Sequence, residues 1–434
     1  MFTIITFMVT AIVMNIVSQG NSGYIAGYGL YEGMIPGWLA TISMIIVSFA
    51  VMLDISRSPI LQRFQTELSL GVLWRAFLVV FDRYGQSIFV LPNSGFDSNM
   101  YYRNAALFAS TGVAGRGGPF SILMGSVFRL TGVSQLYGQF VIALFSIIAI
   151  IMLVKILDEV MDEKDYDIKK NIVLIVALLP NYAILSSIFL RESVVSMCVA
   201  CSVYYIVRWM NGYRFVNFVI AFFFVLIASI FHSGSIAIAI AYILFVFIFD
   251  KRKNRIRFSI KNLFVTMLLL AVVFYLYLNY GDVLFNKMLN VSSLSDIGST
   301  YSEGGSSYAA YVGDSTTPLR MIMFAIPRFV YFLFSPFPWQ WRGIGDIIAF
   351  VFSSLFYLFA FVQGVKSLKY SNAAEKKYAL IFFVIALCTA FVFSWGTTNT
   401  GTATRHREKM VIIYAILLAL GQKRKRDHFS RICR

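Results

Sequence analysis

An all-α, polytopic transmembrane bundle of about twelve spans is the fold this sequence predicts, and three observations predict it. The 434 residues are 59% apolar and only 13% charged, against about 25% charged in soluble domains. The apolar residues gather in runs that reach or approach the ~20 needed to carry a helix across ~30 Å of hydrocarbon. Those runs lack the two-residue alternation of a barrel strand, which leaves helices to satisfy the backbone in lipid.

The first run, 3–19, has no basic segment before it and no small-residue cleavage site after it, and reads as a retained span. Further runs lie at 36–53, 68–91, 135–155, 169–187, 192–209, 215–231, 234–249, 262–280, 345–366, 376–395 and 409–422. Arg75 sits inside the 68–91 run, where an ionised side chain must face protein or a polar cavity. The basic residues test the topology. The segments 54–67, 155–170, 208–214, 251–261, 366–377 and 422–434 hold 24 of the 37 Lys and Arg, and they fall on alternate connections. Positive charge marks the cytoplasmic side, so both termini are placed there. The net charge of +16 is thus first an address, and nucleic acid is not an expected partner. The basic tail 422–434 is expected to meet anionic lipid.

The opposite face receives Gln19–Met34, a first large loop at 91–134, a second at 281–344, and Trp395–Glu408. Pro119–Leu130 and Pro318–Trp341 are amphipathic, Pro-interrupted and aromatic, and are expected to lie in the interface. Ser292–Thr317, rich in Ser, Gly and Tyr, reads as an external loop, either a lid over a glycan or a solvated connector. No separate soluble domain interrupts residues 1–434. Cys198 and Cys201, three apart in an apolar run with no His or carboxylate cluster, are packing residues.

Chemistry is expected on that noncytoplasmic face. Asp97 lies in the polar stretch Leu91–Pro119, six residues beyond a span and beside Asn93, Ser94, Tyr101, Tyr102 and Arg103. A carboxylate there can take a proton from a sugar hydroxyl, hold a divalent cation such as Mg or Mn, or merely cap the helix that begins at Ser98. Arg405, His406 and Arg407 precede the last span; two arginines at a membrane edge can clamp a phosphate, or bind headgroups. Arg191 and Glu192 meet at a turn between spans, as an ion pair or as substrate contacts. His232 in FHSGS is a second base candidate or a solvated turn histidine. No Walker loop, HExxH, GxSxG or dinucleotide fingerprint occurs, which argues against an ATP-driven pump, a zinc protease and a serine hydrolase.

Asp97, Tyr101 and Ala105 in the first loop, the Pro-led segment Pro119 to Gly132, the stretch LLPNYAILSSIFLRES and the RHR before the final span together resemble the GT-C superfamily of polyprenyl-phosphate-dependent membrane glycosyltransferases. They are also similar to the related bacterial polymerases of O-antigen, capsule and exopolysaccharide. The resemblance implies an enzyme of the bacterial inner membrane acting on a polyprenyl-(di)phosphate-linked glycan, alongside membrane lipid and other polysaccharide-assembly proteins. It makes Asp97 the base that activates the acceptor hydroxyl, and Arg405 and Arg407 the holders of the leaving phosphate. Tyr101, Arg103, Arg191, Glu192 and His406 join the substrate-binding candidates. A single Asp97 stands where the family often has an acidic pair, and no Pro follows RHREKM. That leaves open the divalent cation and the choice between a repeat-unit polymerase and a single-sugar transferase. A lipid-linked sugar flippase is the expectation from another class.

Overall fold

The computed structural model describes residues 1–20, 34–115, 117–250, 255–256, 260–269, 271–272, 275, 307–312, 318–370 and 373–432. The basic connection at 251–254 and 257–259, most of Gln19–Met34, and residues 281–306 of the second large loop lie outside the described residues, as does most of Ser292–Thr317.

The described chain is helical except for a two-residue antiparallel ladder that pairs Phe249 with Ile256. In order, α1 is Phe2–Gly20, α2 Met34–Arg57, α3 Gln65–Tyr84, α4 Phe96–Thr111, α5 Gly118–Thr131, α6 Gln135–Val160, α7 Tyr166–Leu178 and α8 Pro180–Leu185. Next come α9 Glu192–Met210, α10 Val216–Phe231, α11 Ala237–Ile248, α12 Pro318–Phe334, α13 Leu355–Tyr370, α14 Ala373–Trp395, α15 Thr400–Glu408 and α16 Val411–Ile432. Among the described residues, five helices are long and apolar enough to cross a membrane: Gly37–Arg57, Gln135–Val160, Glu192–Met210, Ile344–Lys369 and Glu375–Trp395. Many helices turn large apolar side chains outward, including Ile4, Ile16, Phe49, Phe77, Phe223 and Phe359. Lipid, not water, suits such a surface.

Two expected spans are corrected. The run 169–187 breaks after Leu178, because Pro180 has no N–H to continue the helix. Residues 68–91 stop being helical at Tyr84, and Gly85 takes up the end by donating to Phe81 O at 2.7 Å.

The chain divides into two compact units. Unit 1 comprises Met1–Val154 and Val173–Met197. Inside it, buried Arg75 donates Nε to Ser146 Oγ at 2.6 Å and Nη1 to Ala177 O at 2.7 Å, next to the carbonyls freed at the Pro180 break. Arg75 therefore faces protein, and it serves an orphaned helix end. Helices α4 and α5 run side by side in the same direction, Ser121 Oγ donating to Tyr101 O at 3.4 Å and Arg129 Nη2 to Phe108 O at 3.1 Å, and Gly112, with a positive φ of 76°, caps α4 in the left-handed conformation. Their backbones approach so closely that a Cβ on Gly125 would stand 2.7 Å from Ala105 O. The amphipathic Pro119 segment is thus a helix, started by proline in its first turn.

Unit 2 comprises Lys155–Ile172 and Cys198–Arg434. Its α16 is buried through Ala419 against α13, where Gly364 and Gly421 leave room for Leu417 and Gln363. At one end, Lys423 Nζ lies 3.2 Å from Asp162, 3.2 Å from Asp165 and 2.8 Å from Glu375. This lysine heads the basic tail, and carboxylates of its own unit hold it. Pro318–Phe334 is a continuous 17-residue helix that passes through Pro327.

Candidate active site

The strongest concentration of chemically able groups in unit 2 surrounds α15. The preceding turn is rigid because its carbonyls are used: Tyr308 N donates to Thr398 O at 2.7 Å, and Tyr308 Oη to Thr397 O at 3.0 Å. Asn399 then caps α15, its Oδ1 accepting from Gly401 N at 2.9 Å and Thr402 N at 3.3 Å. That cap sets the rotation of the helix, and with it the direction of His406.

His406 meets His232 across 174 residues of sequence, Nε2 to Nε2 at 3.3 Å with ring centroids 4.6 Å apart and planes at 79°. His406 Nδ1 is 3.2 Å from Thr397 Oγ1. Phe393 lies against both imidazoles, with centroids at 5.1 and 5.4 Å. It reaches them because residue 234 is glycine; a Cβ there would come within 2.3 Å of the Phe393 ring. His232 itself ends α10 in extended conformation. Thr397, His406 and His232 thus form a hydrogen-bonded chain in which one ring nitrogen must donate and its partner accept. Such a chain can accept a proton at one end and relay it to the other.

The arginine clamp is corrected. Residues two apart on an α-helix point about 200° apart, so Arg405 and Arg407 leave α15 on opposite sides. Arg407 is fully buried and donates Nη1 to Leu333 O at 2.6 Å and Nη2 to Thr404 Oγ1 at 2.8 Å. Its Nη1 also reaches Ser354 Oγ at 3.3 Å. These bonds tie it into the fold through Nη1 and Nη2, while its buried Nε meets no acceptor among the described residues. Arg405 is half-buried and precedes His406 in the chain, and Lys409 Nζ lies 5.8 Å from the centroid of the Phe393 ring that packs on both imidazoles. The adjacent Glu408 is buried and accepts from Ser353 Oγ at 3.1 Å. Ser353 and Ser354 both come from a π-helical turn, Phe350–Ser354, that breaks the helical register ahead of α13. Burial pushes the Glu408 carboxyl up to about 7, with Arg407 and Ser353 opposing it.

Unit 1 places the other expected residues. Asp97 lies in the first turn of α4, where the helix dipole favours its charge. It is not the cap of a helix starting at Ser98. The helix begins at Phe96, and Ser98 Oγ closes the turn onto Gly95, accepting from its N at 3.1 Å. Tyr101, one turn on, is buried edge-on to Phe120 at 5.3 Å, and the Arg191 guanidinium lies 5.9 Å from its ring centroid. Arg191 lies over that ring, and Glu192 is buried at the start of α9. Arg103 is exposed and, two residues from Tyr101, falls on the opposite side of α4.

Sequence reasoning named His232 and His406 separately but missed their pairing, the Thr397 anchor and the glycine that admits Phe393. The usable signal was rarity: the chain has three histidines, and two of them touch. Among the described residues no group of three or more His, Cys, Asp or Glu side chains comes together as a metal site. Comparison of the chain with protein-family models, with curated proteins and with solved structures finds no match.

Proposed function

We propose that this chain is a membrane glycosyltransferase of surface-polysaccharide assembly, a repeat-unit polymerase whose donor is a polyprenyl-(di)phosphate-linked oligosaccharide at the outer face of the bacterial inner membrane. Multiple spans, with the α15 turn on the noncytoplasmic side, belong to the same proposal. The observation that carries it is the Thr397–His406–His232 chain, with Arg405 on the same short helix.

The arrangement suits transfer without a nucleotide. An acceptor hydroxyl attacks the anomeric carbon of the donor, and its proton passes to the imidazole pair as the new glycosidic bond forms. The old bond to the (di)phosphate breaks, its electron pair leaving on the phosphate oxygen. Arg405 offsets the charge that grows there. Thr397 fixes the ring of His406, so the pair needs little reorganisation as the proton arrives. Asp97, on a helix end in unit 1, is the second base candidate, with Tyr101 and Arg191 as sugar and phosphate contacts. No step in this scheme passes through a divalent cation.

The test is polymerisation of a synthetic lipid-linked repeat unit by the purified full-length chain in bilayer discs. His232→Ala and His406→Ala are each expected to lower the rate by roughly 10²–10⁴-fold while leaving the protein folded. Asp97→Asn measures the share of the other candidate. Wild-type rates in both histidine variants remove the pair from the chemistry. A product one sugar longer, and no more, identifies a single-sugar transferase. Movement of the lipid across the bilayer with no new glycosidic bond identifies a flippase.

A further inference from the structure

Asp82 and Gln139 pose a problem of atoms in unit 1 that the proposed reaction does not touch. Asp82 lies in the last turn of α3 at 1% exposure, and Gln139 on α6 is fully buried. Gln139 Nε2 donates to Asp82 Oδ2 at 2.6 Å. The two remaining oxygens, Asp82 Oδ1 and Gln139 Oε1, are both buried and meet no donor among the described residues. A buried carboxamide oxygen and a buried carboxylate oxygen, each without a donor, are costly on both counts.

One proton removes both costs. On Oδ1 it makes Asp82 a carboxylic acid that donates to Gln139 Oε1, while Gln139 Nε2 donates back to Oδ2. The two planar groups then form a closed acid–amide ring with every polar atom satisfied. We propose that Asp82 and Gln139 are a proton-binding site, built to hold one proton inside unit 1 beside the turn that leads into α4.

The surroundings agree. On α3 the neighbouring Arg83 turns its Nη1 to Gln135 Oε1 at 2.9 Å, and Arg75 is engaged by Ser146 and Ala177. Glu67 is about four turns back along the same helix. Helix α2 carries charge only at Asp54 and Arg57, in its last turn, and α6 only at Lys155, Asp158 and Glu159, far along that helix from Gln139. Helix α8 brings Tyr182 and no charge. Arg83, the next residue on the helix, also acts on the Asp82 carboxyl through its charge. The Ser94 hydroxyl lies beside the same carboxyl. Ser94 stands in the turn three residues before Asp97, so that turn borders the group that carries the proton.

Difference infrared spectroscopy of the full-length protein in bilayer discs tests the site. At neutral pH the wild type is expected to show a protonated-carboxyl stretch that is lost in D82N, a variant that keeps both hydrogen bonds because an amide replaces the acid. In Q139L the same stretch shifts to higher frequency, because the acid loses its amide partner. An unchanged stretch in D82N overturns the proposal, as does a wild-type carboxylate that stays ionised and binds sodium instead. If D82N does not fold, the Q139L spectrum decides, and an unshifted stretch there overturns the proposal equally.

Discussion

Arg405 and Arg407 look interchangeable as letters and are opposites as side chains. Arg407 is bound to Leu333 O, Ser354 and Thr404 with no solvent contact, whereas Arg405 is half-buried and precedes His406 in the chain. Arg407→Ala would strand those buried acceptors and is expected to cost about 2–4 kcal/mol, read as a lower unfolding midpoint in detergent. Arg405→Ala is expected to leave that midpoint within about 0.5 kcal/mol and to weaken donor use instead, read as a rise in KM or a fall in kcat/KM. Glu408 makes a pH prediction. Its carboxyl is raised from an ordinary 4.5 to about 7 by burial, so the folded protein binds that proton more tightly than the unfolded chain. The resulting stability is complete below about pH 4.5 and is lost as pH rises through about 7. Glu408→Gln should flatten that part of the profile, a difference on the order of a few kcal/mol. Thermal unfolding of both proteins from pH 4 to pH 8 measures it.

At the scale of elements, the packing of α5 on α4 sets where Asp97 and Tyr101 stand. Its close approach depends on Gly125, which faces Ala105 O and the Phe108 ring with no space for a side chain. Gly125→Val must push the two helices apart, and a loss of about 1–3 kcal/mol is expected. The same variant should lower activity more than that loss explains, if Asp97 and Tyr101 contribute to turnover; stability and kcat/KM measured on one preparation separate the two effects. Helix α5 was partly legible in sequence, since Pro119 marks its first turn, while its course alongside α4 was not. The break at Pro180 was written there too, yet the run 169–187 was long and apolar enough to hide it. Hydropathy averages over a window, while a missing N–H acts at a single residue.

At the scale of the whole molecule, topology carries the proposal. If Lys366 and Lys376 face the cytoplasm, a cysteine placed at either should resist a membrane-impermeant reagent added outside intact cells and react after permeabilisation. Labelling from outside would move the α15 turn to the wrong face for an outward-facing glycan and would remove the polymerase reading. The sequence by itself determined the features that local chemistry sets. The chain is helical and apolar, and polar stretches at Asp97 and at Arg405–Arg407 stand out from that background; about twelve spans are expected from it, and five helices among the described residues are long and apolar enough to cross a membrane. Only the tertiary structure decided the partners: His232 with His406, Arg407 with Leu333 O, and Asp82 with Gln139. The reason is range. Helix formation and transfer into lipid are governed by neighbours within a few turns, whereas these pairs lie 57 to 174 residues apart and exist only once helices pack in one particular rotation.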